Sequence, residues 1–276
     1  MLNLKYLCFW TVLATAGLFG PLAHAGRACT TAPSTKTATV ERALSLAAST
    51  AKALDASGAQ VVLLARAGQD LGKYGLRYSH FGFAYQASNG KSDGGHVWRV
   101  LHKLNQCGTA ESAIYRQGLG EFFLDDLWRY EAAWVMPTPE LQGRLLAMLR
   151  NEARSLQLHE KAYSMLSYAW GQKYQQSNQW ALETLALAAA PVLPANGATR
   201  QQAQAWLQSA GYLPTVLNIN AATRLGARVS AANIAFDDHP NEKRFADNIE
   251  TVTVDSVFAW MVRAGLGKGP KVLEDR

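Results

Sequence analysis

The sequence predicts an α+β fold in which a small antiparallel sheet is packed with helices. Three observations carry this. Residues 86–95 (Gln-Ala-Ser-Asn-Gly-Lys-Ser-Asp-Gly-Gly) collect the usual turn formers between two strand-like runs, so the chain returns as a hairpin. Residues 61–65 (Val-Val-Leu-Leu-Ala) form a continuous apolar run, as a buried strand requires. Helical patterns flank these strands rather than alternating with them, which favours segregated helices and strands.

The elements follow in chain order. Lys5 is the single charge before an apolar run over residues 6–22, and Ala23-His24-Ala25 has the small-x-small form of a signal-peptidase site. Residues 1–25 therefore read as a signal peptide that is removed, with a retained N-terminal anchor as the alternative. The run is short for a membrane span and no later stretch is long enough, so the mature chain is expected in the periplasm or secreted, without a transmembrane segment. Its loss removes Cys8 and leaves Cys29 and Cys107. In an oxidising compartment that even pair predicts one disulfide, tying the N-terminal tail to the segment after the hairpin; two unpaired thiols are the alternative. The formal charge is +6, with no dense Lys/Arg cluster. That suits loose attraction to anionic envelope polymers and argues against a nucleic-acid binder.

Residues 30–39 are a Thr/Ser/Ala/Pro lead-in. A helix is predicted over 40–56, with Ala43, Leu44, Ala47, Ala51 and Leu54 facing inward and Gly58 ending it. After the strand at 61–65 come a turn-rich loop at 68–75, a strand at 79–85, the hairpin loop, and a return strand at 96–102. A turn centred near residue 91 sets His80 opposite His102 on one face, which His96 shares by the two-residue repeat of strands. Residues 121–130 are aromatic and acidic, and 131–136 read as a further strand. A helix at 139–154 is capped by Thr138, with Leu141, Leu145, Leu146 and Leu149 at core spacing. The helix opened by Ser177 runs to about Pro191, and 191–200 has the composition of a boundary. Helices at 201–209 and at 256–264, the latter capped by Asp255, complete the chain. The expected organisation is a core over 26–190 and an α-rich C-terminal segment over 195–276 packed on it.

Chemistry concentrates in two segments. Ser177-Asn178 opens a helix whose free amides and positive dipole end suit a developing oxyanion. Ser and Asn are equally good helix caps, so both readings stand. A helix dipole cannot ionise a serine hydroxyl, and a base is needed. His80 on the hairpin supplies one, with His102 placed to orient its ring. A satisfied half-buried histidine is the alternative.

The run Ser79-His80-Phe81-Gly82-Phe83-Ala84-Tyr85 resembles the Ser-His-x-Gly-Ile segment of the circularly permuted papain-like superfamily, which includes permuted NlpC-type cell-wall peptidases and lecithin-retinol acyltransferase-like enzymes. In that superfamily a strand histidine comes first, a polar residue follows on the next strand, and the nucleophile opens a later helix in an Asn-Cys-x-x-Phe motif. Gln176-Ser177-Asn178-Gln179-Trp180 has the same layout. The resemblance covers roughly residues 60–190. It implies a permuted papain-like core with His80 as base, His102 as orienting residue and Ser177 at the nucleophile position, where the superfamily has cysteine.

At closer range the chain resembles an uncharacterised family of secreted proteobacterial proteins, a domain of unknown function. The resemblance lies in stretches such as Arg66-Ala67-Gly68-Gln69-Asp70-Leu71, Leu104-Asn105-Gln106-Cys107-Gly108, Phe122-Phe123-Leu124-Asp125-Asp126 and Ala235-Phe236-Asp237-Asp238-His239-Pro240. Arg66 and Asp70 flank the loop leading to His80, where they bind substrate or pair to fix the loop. Asn178, Gln179 and Trp180 beside the serine are the further substrate-binding candidates. Asp237-Asp238-His239 has metal-ligand residue types, but consecutive side chains diverge, so a turn before Pro240 is expected and no metal or other cofactor.

The expected function is a periplasmic hydrolase or acyltransferase with a Ser-His-His arrangement, acting on an amide or ester of the cell envelope. The alternative is a catalytically inactive papain-like domain that binds an envelope peptide, glycan or lipid, since a thiolate is the better nucleophile near neutral pH. A structural partner of another secreted protein is a third reading, resting on eight tryptophans and mild basicity.

Overall fold

The computed structural model describes residues 36–274 apart from Asp93, Asp126, Pro191 and Ala195. The expected signal peptide and Cys29 lie outside the described residues, and the Cys29–Cys107 bridge with them.

The first helix, α1 (Thr37–Ser57), ends at Gly58, whose φ of 69° is the left-handed cap conformation that glycine adopts without a Cβ penalty. Its inward stripe is Ala43, Leu46, Ala47, Thr50 and Leu54. Leu44, expected inside, is 46% exposed, because it sits beside that 3.6-residue stripe rather than on it.

Strand β1 (Val61–Ala67) is buried along its whole length. It lies inside a six-stranded antiparallel sheet with β2 (His80–Ser88), β3 (His96–Asn105), β4 (Ser112–Gly118), β5 (Arg129–Val135) and β8 (Lys271–Glu274), in the order β4-β3-β2-β1-β5-β8. Strand β4 was not anticipated: Ser-Ala-Ile-Tyr-Arg-Gln-Gly offers no apolar run and only partial burial. A separate two-stranded ribbon pairs β6 (Thr215–Asn218) with β7 (Asn248–Thr251).

The sheet has two covered faces, distinguished by strand parity. Val62, Leu64, Ala84, Trp98 and Val100 pack with α1 and with the short helix α2 (Leu119–Phe123). Leu63, Phe81, Phe83 and Leu101 face the principal core on the other side. There they meet α3 (Pro139–Arg150), α5 (Ser177–Ala189), α6 (Arg200–Ser209) and α9 (Val254–Arg263). Helix α5 is buried all round, so it is the central helix of the fold.

Three helix ends differ from expectation. The predicted 139–154 helix breaks at Asn151, whose side chain caps α4 (Glu152–Leu156) by accepting from the Arg154 amide at 3.1 Å. Helix α9 is capped by Thr253 rather than Asp255; the Asp255 carboxylate instead accepts from the Arg77 and Tyr78 amides. Helix α5 is capped by Gln176, whose Oε1 accepts from the Asn178 amide at 3.0 Å, so Ser177 is the first helical residue and not the cap.

Residues of the 195–276 segment reach both parts of the structure. Val254, Val257, Phe258, Trp260 and Met261 enter the principal core, and β8 extends the main sheet beyond β5. Between β6 and β7 lie α7 (Ala221–Ser230) and α8 (Asn241–Phe245), over a small apolar cluster of Leu217, Ile219, Ile234, Phe236 and Ile249. Among the described residues, no helix is long and apolar enough to cross a membrane.

Candidate functional site

The β2–β3 ladder runs from Ser88↔His96 to Phe83↔Leu101, and one more step sets His102 against Gly82. The register is therefore shifted by two residues from the expected His80–His102 pairing, because the loop is centred nearer residue 92. The offset preserves parity, so both histidines share a face with Ala84 and Val100. Gly82 makes their meeting possible. A Cβ placed there would lie 2.7 Å from the His102 Cβ and 2.9 Å from the Leu101 carbonyl oxygen. With no side chain in the way, the His102 ring passes diagonally over β2 to His80. The rings sit 5.1 Å apart, edge to face, and both touch Phe122 of α2.

Two hydrogen bonds make the pair directional. His102 Nε2 lies 2.7 Å from Gln117 Oε1, and His80 Nε2 lies 2.8 Å from His102 Nδ1. An amide oxygen only accepts, so His102 carries its proton on Nε2 and presents the Nδ1 lone pair. His80 then donates from Nε2, which leaves its own Nδ1 unprotonated. That nitrogen has no hydrogen-bond partner among the described residues. Burial first, and the Arg66 charge next, hold both rings in the neutral form: His80 is lowered well below the ordinary histidine value and His102 to about 4. At neutral pH the His80 Nδ1 lone pair is free to accept a proton. Gln117 comes from β4, and the sequence offered no signal for it.

Asn178 docks α5 at this point. Its Oδ1 accepts from the Phe81 amide and its Nδ2 donates to the Ser79 carbonyl, both at 3.2 Å, so one side chain straddles His80 where β3 has left β2. Ser177 and His80 consequently line one cavity of about 790 Å³, together with Ser79, Gln176 and Asn178. The two approach from different faces, however: His80 lies toward α2, whereas α5 packs against Phe81 and Phe83. Ser177 makes no hydrogen bond to either histidine. Its hydroxyl lies beside the Tyr163 phenol, whose ionisation burial pushes up and Ser177 partly offsets. The Ser177 amide, at the first position of the helix, has no hydrogen-bond partner among the described residues, and Ser177 itself lines the cavity.

The other predicted residues divide. Asp70 lines the cavity and holds its loop by accepting from the Gly72 amide at 3.0 Å. Arg66 does not pair with Asp70. It is 3% exposed and bonds the Phe122 carbonyl and the Asp125 carboxylate, with its guanidinium over the Phe122 ring. It therefore acts on the histidines electrostatically, from the β1 position paired with His80. Gln179 turns away from the cavity to bond Ser167, Tyr168 and Ala169, and Trp180 is fully buried edge-on to Phe83. His96, on the far end of β3, pairs with Asp55 at 3.0 Å.

The acidic segment near Pro240 is also built into the fold. Asp238 accepts from the Tyr168 amide at 2.8 Å and from His239 Nδ1 at 3.0 Å, while Asp237 pairs with Lys173 at 2.6 Å. Among the described residues no three His, Cys, Asp or Glu side chains are grouped to hold a metal ion.

Comparison with curated proteins and with solved structures returned no match. A family model does match residues 53–261, a span that runs from α1 through α9 and includes the histidine pair, Gln117 and Ser177. The chain belongs to the family described as an uncharacterized protein conserved in bacteria (DUF2145).

Proposed function

We propose that this protein is a hydrolase or acyltransferase of the cell envelope with a permuted papain-like core, in which Ser177 takes the place of the usual cysteine. The observation that carries the reading is the Gln117–His102–His80 chain, whose fixed tautomers leave a lone pair on Nδ1 of His80, a residue that lines the same cavity as Ser177. The Ser177 hydroxyl adds to the carbonyl carbon of an ester or amide, and its proton passes to His80 Nδ1. The oxyanion forms near the Ser177 amide, a donor at a helix N-terminus. Collapse breaks the bond to the leaving group, which departs with the proton from His80. Water or a second alcohol then resolves the acyl-serine by the same route. The signal peptide expected over residues 1–25 favours envelope localisation.

Ser177 has to turn from Tyr163 toward His80, and catalytic hydrogen bonds commonly tighten only with substrate bound. The test is a fluorophosphonate probe on the mature protein. Wild type is expected to be labelled, Ser177→Ala to lose labelling completely, and His80→Gln to label at least a hundredfold more slowly. Labelling of Ser177→Ala at the wild-type rate would remove the serine from the mechanism.

One observation favours a second reading, a catalytically silent domain that binds an envelope ligand in the same cleft. The serine hydroxyl is beside Tyr163 instead of His80, and a hydroxyl without its base is not a nucleophile. Absence of labelling in wild type, together with retained ligand binding, would select it.

A further inference from the structure

The cavity that Ser177 and His80 share has two unlike ends. Near them the wall is polar: Ser79, Gln176, Asn178, Thr251 and Thr253. Away from them it is largely apolar, built by Leu217, Ile219, Ile234 and Phe236 from the C-terminal segment and by Met165 and Leu166, with Thr223 and Ser230 of α7 also lining it. Asp70 and Lys73 are the only carboxylate and ammonium among the lining residues.

This composition selects among the envelope ligands. A peptide bearing several carboxylates would meet a single cation and lose its hydration against an apolar wall, which is costly for unpaired charge. A glycan would find partners at the polar end but would lay its other hydroxyls against Leu217, Ile219, Ile234 and Phe236, which offer none. An alkyl chain loses nothing there and gains from leaving water. The cleft has a volume of about 790 Å³. It lies within the size range of ligand sites, roughly 300–1,000 Å³, with the common pattern of an apolar body and a few convergent polar groups.

We infer that the chamber binds a single linear acyl chain, with the chain against Leu217, Ile219, Ile234 and Phe236 and its carbonyl at the Ser177–His80 end. This rests on the proposed catalytic reading for the carbonyl's position but not for the chain's. The acyl-binding wall is supplied largely by residues 217–236, outside the part of the chain that resembles papain-like enzymes.

The experiment uses full-length mature protein carrying Ser177→Ala, so that turnover plays no part, titrated calorimetrically with decanoate, dodecanoate, tetradecanoate and hexadecanoate. Affinity is expected to rise with each added methylene, by about fourfold at most. Gly226→Phe is the blocking variant. Gly226 lines the chamber in α7, and a Cβ there meets nothing within 4 Å, so the backbone accepts a side chain that then occupies the space. It is expected to weaken dodecanoate binding at least tenfold with an unchanged melting temperature; Ala227→Trp, at a neighbouring lining position packed on the apolar cluster, is expected to weaken binding likewise at some loss of stability. Tighter binding of dodecanoylglycerol than of an N-dodecanoyl tripeptide names a glycerolipid source, the reverse order names an acylated polypeptide, and either order supports the chamber. No binding of any of the four acids, an affinity independent of chain length, or full binding by both folded blocking variants would overturn it. A chain-length ladder in a protein whose wild type never reacts with fluorophosphonate would sink the catalytic reading and leave the chamber standing.

Discussion

A neutral imidazole has one proton for two nitrogens, and this limit turns three side chains into a directed chain. Gln117 fixes the proton of His102, His102 fixes that of His80, and the last lone pair belongs to His80, which lines the cavity. The arrangement depends on both rings staying neutral, which gives it a thermodynamic signature. Burial and Arg66 hold His102 to about 4 and His80 well below its ordinary value near 6.5. Between those values the unfolded chain takes up protons that the native state refuses, so stability is complete above about pH 6.5 and falls as pH drops toward 4. For His102 alone the loss by pH 5 is about 2 kcal/mol. His102→Gln removes one of these groups, so its melting temperature should fall less than that of wild type between pH 7 and pH 5. Equal falls would mean that His102 titrates normally. The sequence made both histidines visible, since strand parity alone sets them on one face. Gln117 was hidden because β4 carries no apolar pattern, and the step from shared face to contact rests on Gly82.

At the scale of elements, α5 is fixed by polar groups rather than by apolar packing alone. Glu183, 1% exposed in the middle of α5, accepts from Arg200 Nε at 2.8 Å and Nη2 at 3.1 Å, and from Gln204 Nε2 at 2.6 Å. Arg200 and Gln204 belong to α6, and Arg200 also bonds the carbonyls of Gly171, Gln172 and Tyr174. The network thus ties α6 to α5 and to the loop that delivers Ser177. At the helix start Gln175 continues it, donating to Glu183 and accepting from Lys103, a fully buried lysine lowered to about 6 chiefly by desolvation. A neutral amine has two N–H donors, and Lys103 has two acceptors, Gln175 Oε1 and the Glu160 carbonyl, each at 2.7 Å. Arg200→Met should destabilise the protein by about 3–5 kcal/mol in urea denaturation, because it strands a buried carboxylate. Adding Glu183→Met should restore most of the loss, since an apolar pair can replace a buried ion pair of similar volume. A double variant no more stable than the single one would show that the pair is needed for more than mutual neutralisation. The sequence placed a helix at 201–209, close to the observed α6, which a capping box of Thr199 and Gln202 opens. The burial of Arg200 was not, because a charged residue in a first turn reads as solvated.

At the scale of the whole molecule, the composition break at residues 191–200 suggested a boundary, and the interior crosses it. The apolar face of α9 and the α5 helix share one core, in which Trp260 stacks edge-on with Trp206 and Tyr212. Strand β8 joins the main sheet at β5, where Arg77 bridges Glu131 of β5 and Glu274 of β8. Gln176, the cap of the helix that carries Ser177, donates to Thr251 Oγ1 and to the Val252 carbonyl of the C-terminal segment. The cavity draws its walls from both sides of the break. Long-range contacts of this kind leave little trace in local composition, because each half of a buried face looks the same whichever partner covers it. The principal core takes buried residues from both parts, so the two should unfold together. Calorimetry of the mature protein is expected to give one transition whose van't Hoff and calorimetric enthalpies agree, and which an acyl ligand moves upward as a whole. Two resolved transitions, with only the later one shifted by ligand, would make residues 195–276 an independent unit and would require the chamber to lie within it.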